Sequence, residues 1–339
     1  MKTGILLIQL GTPDAPETPA LRRYLRQFLN DKRVIDYPDW FWQPILQIIL
    51  WTRPAKSAAK YRRIWDPVTG SPLLKHTKAQ AELLAARFPD QVVRFGMQIG
   101  NPAAGKVIEE MIAQGVQKLL VLPMYPQFSI TTTASANDVL YKELLKQKLV
   151  PALRVAPPYY NHPSYIQAVT GIMREDLAKL SWKPDHFLIS FHGLPMRYCQ
   201  KYKDPYATHC KVTTRLIVEQ MGWTRPQWSQ SFQSLFGRER WLRPYTDEVL
   251  QELAAKGVKR VYVTTPGFTA DCLETIDEIG HESREVFLKA GGEELRLCPG
   301  LNSHPLWIQA MEDILRQEGA GWVNSARAAL PVALSGQPV

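Results

Sequence analysis

The same strand-and-turn unit occurs twice in this chain. Residues 5–13 (ILLIQLGTP) are an apolar run followed by Gly-x-Pro, and residues 187–195 (FLISFHGLP) repeat the form with Gly193 in the place of Gly11. A second pair follows in the same order. Residues 114–123 (QGVQKLLVLP) resemble 256–266 (KGVKRVYVTTP). In each, a helix ends at glycine, a Val-rich strand follows and proline marks the exit. Residues 92–96 and 228–232 supply one more strand to each half. Apolar runs of four to six residues without alternation mark strands buried on both faces, as in parallel βαβ units. Helical spacing fills the gaps over 18–29, 73–88, 103–114, 135–148, 163–180, 206–221, 245–256, 271–290 and 305–317. The expected fold class is therefore α/β: two similar doubly wound parallel-sheet domains facing a cleft. Pro151, Pro157 and Pro158 mark the division into 1–155 and 156–317, and an Ala/Pro/Ser-containing tail over 318–339 is expected to be loose.

The repeat also exposes an insertion. The step from Ile8 to Phe95 is more than twice the matching step from Ser190 to Ser231, and the surplus falls on about 30–75. Insertions of that size in compact domains are usually lids or binding elements. This one holds residues 40–51 (WFWQPILQIILW), followed by Arg53, Lys56, Lys60, Arg62 and Arg63. Tryptophans beside cations suit a membrane interface or a greasy ligand, and a core helix under a loop is the plainer alternative. The stretch falls short of the ~20 apolar residues that a spanning helix needs. The apolar run 5–8 is too short for a secretory leader, and no small-residue cleavage site follows it.

Composition narrows the partners. The net charge of +9 fits an anionic small molecule, an anionic membrane or nucleic acid. No Lys/Arg block reaches five residues and no zinc-finger or RNP1 pattern occurs, so nucleic acid is not expected. Cys199, Cys210, Cys272 and Cys298 are too widely spaced for a disulfide scaffold or a C-x-x-C metal site, which suits a reduced, cytoplasmic setting. Neither a G-x-G-x-x-G nor a G-x-x-x-x-G-K-[ST] fingerprint follows a strand.

Ligands of open α/β sheets bind at the carboxyl ends of the strands. There, directly after 187–191, stands His192, the best placed of the seven histidines for acid–base work. Across the expected cleft, residues 266–282 leave another strand and enter a helix. Glu274, Glu278, His281, Glu282 and Glu285 share one helical face there. A solvated outer face is the bland reading of such a stripe. Glu274 stands at the helix start, however, and like charges four apart repel, so Glu274, Glu278 and Glu282 make sense as a path for a hydrated divalent cation such as Fe²⁺. Tyr125, Phe128, Trp241 and Phe268 follow strand ends, where a flat apolar ligand can stack.

Taken together these segments resemble ferrochelatases. Residues 187–195 continuing to 204–206 (DPY) look like that family's signature. Residues 4–13, 61–64 with 70–72, 125–133, 233–234 with 241–244, 268–275 and 300–305 agree in order, so the likeness spans roughly 4–315. The resemblance implies two Rossmann-like domains with protoporphyrin IX in the cleft and Fe²⁺ as substrate, inserted to give haem. It places the family's catalytic histidine on His192, its key acid on Glu274, and its apolar lip on the 30–60 region. It departs at Cys272, where some members carry a second histidine. The tail from 318 has no cysteine, so no [2Fe–2S] cluster and no resident cofactor are expected.

On this reading His192 accepts pyrrole protons and touches the metal in passing. Glu274 orients His192 or the ring and, with Glu278 and Glu282, conducts iron or protons, while Tyr125, Trp241 and Phe268 set the ring. Arg53 pairs with an anionic propionate. The cationic surplus and the lip suit transient docking on an anionic inner membrane. The rivals are a chelatase for coproporphyrin or another tetrapyrrole, and a non-catalytic haem- or metal-binding protein. Oligomeric state is left open.

Overall fold

The computed structural model describes residues 1–235, 237 and 239–323. Two four-stranded parallel sheets organise it. In the first, β1 (Lys2–Thr12), β2 (Val92–Gly100), β3 (Val116–Pro123) and β4 (Ala152–Val155) lie in the order β2-β1-β3-β4. In the second, β5 (His186–His192), β6 (Trp228–Gln233), β7 (Arg260–Thr264) and β8 (Glu294–Leu297) lie in the order β6-β5-β7-β8. The two orders are one order repeated, so the duplication read in the sequence is a duplication of topology. Ile5, Leu6, Leu7 and Ile8 of β1 are all fully buried, as a central strand covered on both faces requires. The last residues of β1 need Gly11, which pairs with Ile99 of β2: its φ is +109°, and a Cβ there would lie 1.7 Å from the Ile99 carbonyl oxygen.

Helices α1 (Thr18–Leu29), α2 (Asp39–Ile64), α3 (Pro72–Arg87), α4 (Ala104–Ala113) and α5 (Ser135–Leu144) belong to the first half. Helices α6 (Pro163–Leu177), α7 (Met196–Lys201), α8 (Tyr206–Met221), α9 (Thr246–Ala255), α10 (Arg284–Lys289) and α11 (Pro305–Glu318) follow. Local chemistry sets their ends. Asp204 accepts from the Tyr206 amide at the start of α8, and Gly222 closes that helix at φ +71°. Among the described residues no helix is long and apolar enough to cross a membrane.

Three features differ from expectation. The insertion holds one 26-residue helix, α2, running through Pro44 and Pro54. Each proline costs ~3 kcal/mol or more inside a helix. The stripe Trp42, Leu46, Leu50, Tyr61 and Ile64 is buried, and at ~1.5–3 kcal/mol per large apolar side chain it offsets that cost. The other side of the helix leaves Trp40 and Trp51 80% and 81% exposed, with Phe41 and Ile48 between them. The core-helix and lip readings therefore describe two faces of one element.

The second difference is that 271–290 is not a single α-helix. Residues Leu273–Ser283 form a π-helix, and α10 follows. A shorter π-helical turn, Ile130–Ala134, occupies the matching place after β3 in the first half.

The third concerns the tail. Thr3 donates to the Trp322 carbonyl, the Arg154 guanidinium lies 4.3 Å from the Trp322 ring centroid and Val323 is buried, so 319–323 are held against the first sheet. The rest of the tail, 324–339, lies outside the described residues. The two sheets divide between β4 and β5, but the core does not. One hydrophobic cluster runs from Ile5 and Leu84 through Phe191 and Tyr262 to Trp307, and α11 packs on both α6 and α3.

Candidate active site

The exit of β5 carries His192, half-buried and held at three points. The Tyr206 hydroxyl donates to its carbonyl at 3.0 Å. Its backbone pairs with Gln233 on β6, and the amide of Gly193 donates to the Gln233 carbonyl at 2.7 Å. Its Nδ1 lies 2.7 Å from the Gly193 carbonyl oxygen. A carbonyl only accepts, so Nδ1 carries a proton, and in the neutral imidazole Nε2 is the nitrogen with the free lone pair.

Beneath the histidine runs a buried polar network. Ser190 donates to the Gln233 side-chain oxygen at 3.0 Å, and Thr246 lies 2.9 Å from both Ser190 and Ser231. The Gln233 amide then donates to the Glu274 carbonyl at 2.6 Å. That bond ties the second strand exit to the first turn of the π-helix. The approach to this turn is fixed as well. Thr275 donates to Asp271 at 2.9 Å, and Asp271 also accepts from the Asn302 side chain and the Gly300 amide.

A π-helix bonds i to i+5, so residues four apart fall closer to one line than in an α-helix. The structure brings Glu278 within electrostatic reach of both His192 and Glu274 and gives Glu282 other company. Burial raises the Glu278 carboxyl above its ordinary value; the Ser234 hydroxyl and the His192 imidazole pull it down, and the like charge of Glu274 pushes it up. The Ser234 bond is 2.6 Å long, from a residue at φ +65°, a left-handed conformation costly for serine. On its far side Glu274 faces Tyr24, Tyr61 and Cys272: burial and this neighbouring carboxylate both raise those hydroxyls and the thiol.

Glu282, expected to continue the path, pairs with Lys60 at 2.7 Å and with Arg63 at 3.3 Å. His281 and Glu285 of the expected stripe face solvent, Glu285 beside Lys289. Among the described residues no three His, Cys, Asp or Glu side chains converge tightly enough to hold a metal ion.

The expected ring contacts divide. The Phe268 ring centroid lies 6.4 Å from that of His192. Trp241 bridges to Pro195 and covers Gly193, where an added Cβ would stand 3.1 Å from its ring. Its indole N–H is buried and has no partner among the described residues. Tyr125 turns inward instead. It is 8% exposed, packs in the first half's own core and donates to the Gln98 side-chain oxygen at 2.9 Å. A strand exit places a backbone at the cleft without fixing where the side chain points. Arg53 lies on the exposed side of α2, and partial burial lowers its guanidinium. Across the mouth, Arg197 of α7 pairs with Asp36 and Glu239, and the Tyr198 hydroxyl donates to the Val34 carbonyl at 2.8 Å, so the approach to the lip is stapled to the histidine's half.

Solved structures share this architecture. SirB from Bacillus subtilis, determined with Fe³⁺, matches with a TM-score of 0.58 over 95% of this chain and 97% of its own, at 14% identity. The sirohydrochlorin chelatase SirB from Bacillus subtilis subspecies spizizenii, in complex with cobalt, matches at 0.55 and 13% identity, over 94% of this chain and 95% of its own. The fold is that of the two-domain chelatases. The Ferrochelatase family model matches residues 2–319. Curated ferrochelatases from Mesorhizobium japonicum and Brucella ovis are 45% identical over 327 residues, 95% of this chain and 92% and 93% of theirs. The chain belongs to the ferrochelatase family, lyases that insert Fe²⁺ into porphyrin, and porphyrin and Fe²⁺ are its substrates.

Proposed function

We propose that the ring is protoporphyrin IX and that His192 is the base that removes its pyrrole protons. Insertion requires two N–H protons to leave and water to be stripped from the metal. His192 Nε2 takes a proton from a pyrrole nitrogen as the N–M bond forms, and the imidazolium passes it to the acidic side of the cleft. Glu278 suits that role: a carboxyl raised by burial accepts a proton more readily than an exposed one. Glu274 orients His192 and the incoming metal. Fe²⁺ passes between these groups as substrate, and no resident cofactor or cluster takes part. Phe268 and Trp241 bear on the ring faces, and binding of those faces offsets the strain of holding the ring out of plane. Tyr125 acts from behind, through Gln98. Arg53 pairs with a propionate.

The observation that carries this reading is the 2.7 Å contact between His192 Nδ1 and the Gly193 carbonyl oxygen, which in the neutral imidazole leaves Nε2 as the acceptor. Removing a general base typically costs ~10²–10⁴ in rate. His192→Ala is therefore expected to bind porphyrin normally and to lose at least about a hundredfold in turnover. Near-normal turnover by the folded variant removes the assignment. A panel of proto- and coproporphyrin with Fe²⁺ and Zn²⁺ tests the ring: the apolar lip predicts the higher kcat/KM for protoporphyrin.

The outward face of α2 supports transient docking of a cytoplasmic enzyme on the inner membrane. Trp40, Phe41, Ile48 and Trp51 present an apolar edge, and Arg53 and Lys56 add positive charge beside it.

A further inference from the structure

The C-terminal end of the lip helix grips the acidic π-helix, and the grip is aimed at a residue outside the acid ladder. Asp277 is a carboxylate with only 1% of its side chain exposed. The Arg63 guanidinium meets it with one hydrogen bond and one further ionic contact: Nη2 donates to Oδ2 at 2.8 Å, and Nε lies 2.7 Å from Oδ1, which has no hydrogen-bond partner among the described residues. The same Nη2 reaches Glu282 at 3.3 Å, where Lys60 also binds. Leu273 and Ile276 of the π-helix pack against Ala58, Tyr61 and Ile64 of α2, so the contact is apolar as well as ionic.

A charge-assisted hydrogen bond to one oxygen of a buried carboxylate, with the same cation close to the other oxygen, holds that carboxylate toward α2. Asp277 immediately precedes Glu278 and follows Glu274 by one short step on the same wide turn. Fixing the carboxylate of Asp277 on the α2 side therefore fixes the rotation of the π-helix about its axis. That rotation decides whether Glu274 and Glu278 face His192. The π conformation is a rare one that needs outside support, and this pair supplies it from the half of the molecule that carries the lip.

We propose that Arg63 is a positioning residue: acting through Asp277, it holds Glu274 and Glu278 against His192 and links the lip helix to the reacting groups. The inference rests on the roles given above to those three residues. Its test compares Arg63→Gln, Arg63→Lys and Asp277→Asn with Arg62→Gln, a charge loss in the same turn whose side chain instead donates to the Pro16 carbonyl. Turnover is measured below each variant's melting midpoint, and free-base porphyrin affinity by fluorescence titration.

Arg63→Gln and Asp277→Asn are each expected to lower kcat about tenfold or more while porphyrin Kd stays within about threefold, and Arg63→Lys to recover part of the loss. Arg62→Gln should match the parent. If Arg63→Gln does not fold, Asp277→Asn carries the test, because an amide of the same shape still accepts from Arg63. Wild-type kcat in the folded variants overturns the proposal, since an ion pair of purely structural value changes the melting midpoint alone. A kcat loss matched by an equal loss of porphyrin affinity also overturns it, because Arg63 would then be a ring-binding residue. The His192→Ala result separates the two levels: normal turnover there defeats the underlying reading, whatever Arg63 does.

Discussion

The two halves of the molecule have the same sheet order, a glycine at the end of the first strand, and a π-helical segment after the third. They even share a buried glutamine at the end of the second strand. Gln98 in the first half takes the Tyr125 hydroxyl and donates to Ser135 at 2.6 Å, just past its π turn. Gln233 in the second takes the Ser190 hydroxyl and donates to Glu274, at the start of its π-helix. Yet the first π segment is five residues of Ile, Thr and Ala, and the second is eleven residues with three glutamates. No histidine stands where the first half matches His192; Leu10 occupies that place. One scaffold has thus diverged into a half that carries His192 and the three glutamates and a half that carries the α2 insertion. The shared glutamine tie indicates that the frame positions strand exits, while reactivity depends on which side chains stand there.

That contrast can be broken most sharply at the π segments. Glu274→Gln is expected to lower kcat by about ten- to a hundredfold. Thr132→Val, at the matching turn of the first half, is expected to stay within about twofold. Comparable losses from both would mean that the first half also contributes reacting groups.

Glu278→Gln is expected to lower kcat about tenfold and, unusually for a core substitution, to raise stability. The folded carboxyl titrates above its unfolded value. Its contribution to stability is therefore complete below the unfolded pKa and is lost as pH rises through the raised value. An amide stays neutral and keeps the Ser234 bond, so the melting midpoint at neutral pH should rise by roughly 1–4 °C. The gain should vanish below about pH 4, where the native carboxyl is already neutral. A lower midpoint at pH 7 would show that the ionised carboxylate is the stabilised form.

The smallest effect on chemistry belongs to the lip. Trp40→Ser with Trp51→Ser is expected to weaken co-sedimentation with anionic vesicles several-fold, while turnover of detergent-solubilised porphyrin is preserved. Unchanged sedimentation would argue against docking through this edge.

Much of this architecture was legible in the sequence, for identifiable reasons. Central strands such as 5–8 and 119–122 are continuous apolar runs, and the repeat reinforces them. The edge strands β4 and β8 are four residues each, ALRV and ELRL, too short and too polar at one end to signal. The prolines of α2 obscured a helix that packing sustains. The wide turn of Leu273–Ser283 hid because a spacing of four reads equally as α. In the sequence His192 stands out by its place at a strand exit and Glu274 by its place at a helix start. Asp277 could not: its partner is 214 residues away in sequence and its burial is invisible without coordinates. Tyr125 was misplaced because the end of a strand does not say which way the next side chain turns.

In the proposed reaction one imidazole, an acceptor at Nε2, takes the pyrrole protons. Exogenous imidazole added to His192→Ala tests it directly. The expected result is a dead variant whose metallation of bound protoporphyrin, followed at the Soret band, revives in proportion to unprotonated imidazole. A His192→Ala enzyme that metallates at the parent rate without imidazole would contradict it.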